Sequence, residues 1–220
     1  MEKVILFGNG PVARGAYGVL THNSRYQVAA FTVDSQYITV ETLFDRPVVP
    51  FSEVASLYPP DEYKMLVAVG YLKVNQLRAQ RYYQALELGY QLISQVSSNT
   101  SISPKMALGN NCLIFGNCLI SASAQIGHNV IIDSGAIIAH DTIIKDHCYV
   151  GAGVVIGGGV TIEPYCFIGL NSTIRNKVAI ARECVIGAGS VILQDTRARE
   201  VYMARQAELL PITSDRLSLV

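Results

Sequence analysis

The stretch IIAHDTIIKDHCYVGAG, residues 137–153, sets two histidines, two aspartates and a cysteine within nine positions. An imidazole takes up and returns a proton near neutral pH, and a neighbouring carboxylate orients the ring and steadies its cation. His140 followed by Asp141 therefore has the composition of a general base with its support. The same residue types are common zinc ligands, so His140, His147, Cys148 and the upstream His128 also raise a metal site. A histidine on the solvated corner of a scaffold is the third reading.

A second candidate lies at the start of the chain. In KVILFGNGPVARGAY a short apolar strand runs into Gly8-x-Gly10 and then a helical pattern. Glycines there let backbone approach a phosphate or nucleotide closely. The third glycine of a dinucleotide fingerprint is absent, since Ala13 follows Pro11-Val12. The turn thus fits a phosphate or nucleotide-sugar contact better than NAD, and a purely structural turn carries the same signature.

Two kinds of element position these groups. Residues 1–96 alternate strand and helix. KVILFGNG, YQVAAFTVD and KMLVAVG read as buried strands, and NQLRAQRYYQALELG reads as a helix capped at Gly89. That alternation predicts a small parallel α/β sheet. The polar run VSSNTS, 96–101, reads as a linker.

From residue 102 the apolar period becomes six. An aliphatic residue falls at every sixth position from Ile102 to Ile192 without exception. No helix sustains that period, whereas a β-solenoid with one short strand and one corner per hexad does. With the aliphatic residue as position 1, position 5 is small and holds all five cysteines. Strand alternation points positions 1 and 5 inward and positions 6 and 2 outward. Cys148 is thereby expected in the core as a small hydrophobe, without a zinc or redox role.

Position 2 is glycine at 109, 127, 151, 157, 169 and 187. The pattern aliphatic-Gly-x-x-small-x resembles the hexapeptide-repeat, left-handed β-helix family, which implies three hexads and 18 residues per coil. Position 6 then forms three outward columns. Leu113, Ile131, Tyr149, Phe167 and Val185 make one, and Leu119, Ile137, Val155, Thr173 and Val191 a second. Both are largely apolar and are separated by small corners such as Ser134-Gly135 and Ala152-Gly153, as expected of a cyclic trimer interface. A monomer with a greasy surface, or cover by the N-terminal domain, is the alternative. His140 falls at the corner after the second column; His128 and His147 fall at the corner before the first. Those corners are a face apart, roughly 15 Å, so a shared site is expected between subunits.

The whole chain resembles the sugar acyltransferases that carry an N-terminal α/β domain ahead of a hexapeptide helix. These are the nucleotide-amino-sugar N-acetyltransferases and the sialic-acid O-acetyltransferase relatives. FGNGPVARGAY matches their first Gly-x-Gly turn, FTVD the end of their second strand, His140-Asp141 their catalytic histidine and adjacent acid, and VIGAGSVILQDT their terminal coil. The resemblance implies His140 as general base supported by Asp141. It implies Gly8, Gly10 and Asp34 at a nucleotide-linked amino sugar, and acetyl-CoA passing Gly158, Leu170 and Ala188, with room beside His140 left by Gly158. It implies no metal. Tyr149, nine residues after His140, stands where the family often has a second histidine, and is expected to reach a neighbouring subunit's His140 and the acyl oxygen. Val12 stands in place of the family's histidine in the glycine turn, and Ser35 in place of an acidic neighbour of Asp34.

The expected organisation is thus an α/β domain at 1–96, a left-handed β-helix at 102–197 and a tail at 198–220. The expected activity is acetyl-CoA-dependent N-acylation of a nucleotide-linked amino sugar by a homotrimer. A sialic-acid-type O-acetyltransferase, an interface-zinc enzyme of carbonic-anhydrase type and a non-catalytic sugar-binding scaffold remain as alternatives. Among the 220 residues Lys plus Arg equal Asp plus Glu at 17 each, which gives nucleic acid or an anionic membrane nothing to recognise. No apolar run approaches the roughly 18 residues of a membrane span, and the N-terminus lacks a signal-peptide pattern, so the expected location is the cytoplasm.

Overall fold

The first apolar run forms β1 (Glu2–Phe7), whose Val4, Ile5 and Leu6 are fully buried. Pro11, suited to a first helical position, opens α1 (Pro11–His22). β2 (Tyr26–Val33) follows, then a hairpin of β3 (Thr42–Leu43) with β4 (Arg46–Pro50), a single turn α2 (Val54–Leu57), β5 (Lys64–Val67) and α3 (Gln76–Glu87). In this computed structural model residues 1–22, 25–209 and 211–212 are described. The sheet order is β3-β4-β2-β1-β5, parallel except for the β3–β4 pair. The hairpin is not legible in the sequence, because RPVVP carries two prolines and reads as non-strand; it forms near the sheet edge, where a missing N–H is tolerated. Helix α3 ends as expected at Gly89, with φ +90° and the Tyr90 N–H donating to the Ala85 carbonyl at 3.1 Å.

The remainder is a parallel β-helix of two-residue strands. It begins one hexad earlier than the sequence reading places it. β6 (Gln95–Val96) already pairs with Leu113–Ile114 and Ser101 with Leu119, so 97–100 is the first corner, not a linker. Each rung pairs with the residue 18 on, as in Leu113, Ile131, Tyr149, Phe167 and Val185. Three sheets result, one for each outward column. Every sixth residue from 111 to 189 turns its corner with positive φ, whether glycine, asparagine or a larger side chain. Positions 1 and 5 form the continuous core, and all five cysteines lie in it as free thiols. The last rung, Val201–Tyr202, pairs with Val185–Ile186 only 16 residues back, so the helix extends beyond 197 with a shortened final coil. Of the expected tail, residues 210 and 213–220 lie outside the described residues.

The α/β domain sits on the first column. Leu113, Ile131 and Tyr149 are buried with Ala13, Ala16, Phe31 and Leu66 in one cluster. The expectation that this column is a subunit interface is corrected: the chain covers it with its own helices, whose apolar faces need burial too. Polar groups lock the junction. The fully buried Arg78 donates through one terminal nitrogen to the carbonyls of Asn129 (3.0 Å) and Cys148 (2.8 Å), and Asn75 donates to that of Cys166 at 3.0 Å. Burial lowers the Arg78 guanidinium to about 10, still a cation at neutral pH. The second column remains open, with Leu119 46 %, Ile137 40 %, Val155 38 % and Val191 62 % exposed.

Candidate active site

A cavity of about 720 Å³ opens at the carboxyl ends of β1, β2 and β5, where the strand order reverses about β1. Open parallel sheets bind ligands at such a switch point, and the volume suits a small molecule. Gly8, Gly10 and Asp34 all line it. Gly8 is required by the fold: its φ is +125°, and a Cβ would meet the Ala68 carbonyl oxygen at 2.7 Å. A Cβ at Gly10 would meet nothing within 4 Å. Asp34 pairs with Arg81 at 2.6 Å, and Arg81 also donates to Gln84 at 2.6 Å while its guanidinium lies 5.7 Å from the Phe7 ring centre.

The floor of the cavity belongs to the β-helix. Asp133 and Tyr149 reach it from the covered face, beside Tyr71 of the α/β domain. The Tyr149 hydroxyl donates to Asp133 Oδ2 at 3.2 Å, and the ring stacks on Phe167 and meets Tyr71 edge-on. Burial first, and the Asp133 charge second, push the Tyr149 phenol well above its usual range, so it stays protonated. Tyr149 is thus turned into its own chain's cavity. Arg81, Tyr71 and Asp133 were missed in the sequence. Arg81 lay unmarked in a helical pattern, and Tyr71 follows a strand without any motif. Asp133 left one legible trace, a charge whose neighbours one coil away, Phe115 and Gly151, offer it no counter-ion.

His140 and Asp141 stand together at the corner after the open face. His140 Nδ1 lies 2.9 Å from Asp141 Oδ2, and the side chains are 71 % and 64 % exposed. Asp141 has φ +58°, and this left-handed corner carries its carboxylate back to the ring beside it. With Nδ1 engaged, Nε2 is the free nitrogen. Gly158 lies under the ring, and a Cβ there would come within 2.6 Å of Nε2. The space Gly158 leaves is taken by the imidazole. Leu170 and Ala188 are placed at the opposite edge of the open face, and both are exposed. His140 does not line the cavity.

The other histidines do other work. His147 is buried at the domain junction, its Nδ1 2.9 Å from Asn129 Nδ2 and its Nε2 3.0 Å from the Tyr83 hydroxyl, and it stacks on Tyr165. Burial lowers it to about 4, against the pull of Asp146. His128 Nδ1 accepts from the Asn110 backbone N–H, and Asp146 Oδ1 accepts the His128 backbone N–H. Among the described residues no three His, Cys, Asp or Glu side chains are placed to hold a metal ion, and no helix is long and apolar enough to cross a membrane.

A parallel helix of 18-residue coils behind an α/β sheet defines the fold: a left-handed β-helix preceded by an N-terminal α/β domain. Residues 123–158 match the family model of the bacterial transferase hexapeptide (six repeats), and residues 106–139 and 159–194 match that of the hexapeptide repeat of succinyl-transferase. No curated protein matches the chain in sequence. Among solved structures it shares its fold with a histidine-to-asparagine mutant of perosamine N-acetyltransferase from Caulobacter crescentus, in complex with CoA and GDP-perosamine. That pair is 24 % identical with TM-score 0.82, over 89 % of this chain and 90 % of the other. The acetyltransferase domain of PglB from Neisseria gonorrhoeae, in complex with acetyl coenzyme A, is 20 % identical with TM-score 0.83, over 91 % and 95 %. WeeI from Acinetobacter baumannii is 18 % identical with TM-score 0.82, over 91 % and 96 %.

Proposed function

We propose that the protein is an acyltransferase that moves the acetyl group of acetyl-CoA to the amine of a nucleotide-linked sugar, with His140 as general base. The observation that carries this reading is the separation of two half-sites by one open apolar face. Asp133 and Tyr149 mark the cavity edge of that face, and His140 with Asp141 marks the other edge of the same coil. Three β-helices packed around an axis with this face inward set one copy's His140 edge against the next copy's cavity edge. Such a heterologous contact closes at three copies and buries Leu119, Ile137, Val155 and Val191. The solved relatives hold CoA and GDP-perosamine, or acetyl coenzyme A, on the same fold.

In this arrangement Gly8, Gly10, Asp34 and Arg81 hold the nucleotide. The amine lone pair attacks the thioester carbonyl carbon, and the N–C bond forms as His140 Nε2 takes the proton from nitrogen. The intermediate collapses, the C–S bond breaks, and the thiolate leaves with that proton as the free thiol of CoA. Asp141 holds the ring by Nδ1 and offsets the charge it gains. Leu170 is exposed, beside Ala188, at the edge where the pantetheine arm would enter between subunits.

The test is a screen of nucleotide-linked amino sugars with acetyl-CoA, read as a mass gain of one acetyl group and as released thiol. His140→Ala is expected to lower turnover about 10²–10⁴-fold while the assembly persists, as loss of a general base does. Near-normal turnover in that variant ends the assignment.

A further inference from the structure

An outward charge on the β-helix can be matched by the residue one coil away on the ladder. Lys145 donates to Glu163, one coil on, at 2.6 Å. Asp133 occupies the same hexad position on another face, but its ladder neighbours are Phe115 and Gly151. Among the described residues it forms no ion pair. One oxygen accepts the Ser134 N–H at 2.7 Å, and the other accepts the Tyr149 hydroxyl at 3.2 Å. The cavity's other carboxylate, Asp34, is already matched by Arg81. The cavity floor therefore carries one uncompensated negative charge, at the edge facing the open side of the helix. A carboxylate offers about four acceptor positions, so two remain for a ligand.

We propose that Asp133 seats the nucleophile of the acceptor and selects nitrogen over oxygen. The inference rests on the acyl-transfer reading above and specifies what that site accepts. A primary amine has two N–H groups beside its lone pair. One hydrogen-bonds to Asp133, the second is offered to His140 of the adjoining copy, and the lone pair stays free for the carbonyl carbon. A sugar hydroxyl has a single O–H. If it donates to Asp133 it has no proton for His140, and if it donates to His140 it leaves the carboxylate unmatched. Tyr149 is the positioning residue in this scheme. Its hydroxyl is committed to Asp133, so it fixes the carboxylate and is not free to donate to the acyl oxygen.

The experiment compares matched UDP-, GDP- and dTDP-linked sugars that differ only in amino against hydroxyl at one carbon. Binding is measured by calorimetry without acetyl-CoA, on the parent assembly, on Asp133→Asn and on Tyr149→Phe. The parent is expected to bind the amino member of one pair about 10–100-fold more tightly, the range of a charge-assisted hydrogen bond. Asp133→Asn keeps the side-chain shape and should bring that preference within about threefold, while the nucleoside diphosphate alone binds as before. Tyr149→Phe should retain the preference. A parent without preference, a preference that survives in Asp133→Asn, or one lost in Tyr149→Phe alone overturns the proposal. Because the preference is an equilibrium quantity, failure of thioester turnover would strike the acyl-transfer reading and leave the Asp133 result standing. A protein that binds none of these sugars overturns both.

Discussion

Gly158→Ala should disable the enzyme without loosening it. A Cβ at 158 would lie 2.6 Å from His140 Nε2 and 2.7 Å from Cε1. Unstrained carbon contacts sit near 3.5–4.0 Å, so the ring must withdraw by about 1 Å. The backbone does not resist the change, because Gly158 is not among the positive-φ residues. The imidazole is exposed and held only by Asp141, so stability should shift by no more than about 0.5 kcal/mol. Catalysis is less forgiving. A displacement of about 1 Å at a reacting group costs on the order of 10²-fold, or about 2.7 kcal/mol of barrier. The assay is thiol release from acetyl-CoA with the acceptor found by screening, alongside a thermal melt of the same preparation. Turnover within about threefold of the parent would refute the claim that this glycine seats the base. A large fall in melting temperature would show that it is a packing residue instead. Gly158→Leu should behave likewise, through the same collision, before any effect on acetyl-CoA binding.

Ile137→Asp is expected to leave a folded monomer at micromolar concentration in mass photometry and to abolish turnover, because it charges the open face alone. Phe167→Asp should instead lower the melting temperature, since Phe167 packs against Tyr71 and Tyr149 inside one chain. The buried His147, lowered to about 4, is neutral in the native state while its unfolded counterpart protonates near 6.5. The unfolded chain then binds more protons in that window, so stability falls as pH drops from 6.5 towards 4, by up to about 1.4 kcal/mol per pH unit. Denaturant midpoints of His147→Asn should fall less over that range than the parent's; parallel curves would contradict the assignment. The native cysteines should resist iodoacetamide over hours, with Cys112 both buried and raised to about 11 by that burial, and rapid labelling would break the hexad register.

The coiled half was legible because its signal is local and repeated. An aliphatic residue at every sixth position specifies a solenoid, and position 5 places the cysteines in its core. The pairing of His140 with Asp141 was legible for the same reason, since adjacent residues at a corner need no distant partner to meet. Gly8, Gly10 and Asp34 fell together because strand ends in a parallel sheet share one edge. What covers each outward face was not legible. A column of apolar residues states that something must bury it, and only the docking of α1 and α3 decided that Leu113, Ile131 and Tyr149 are buried by their own chain while Ile137 and Val155 are not. The same docking turned Tyr149 into the cavity, buried His147 and drew Arg78 onto the helix carbonyls. These contacts join residues 51 to 91 positions apart, and hydrophobic burial, which drives them, is non-directional. Sequence pattern therefore fixes which faces seek cover, and the shape of both domains fixes what each face meets.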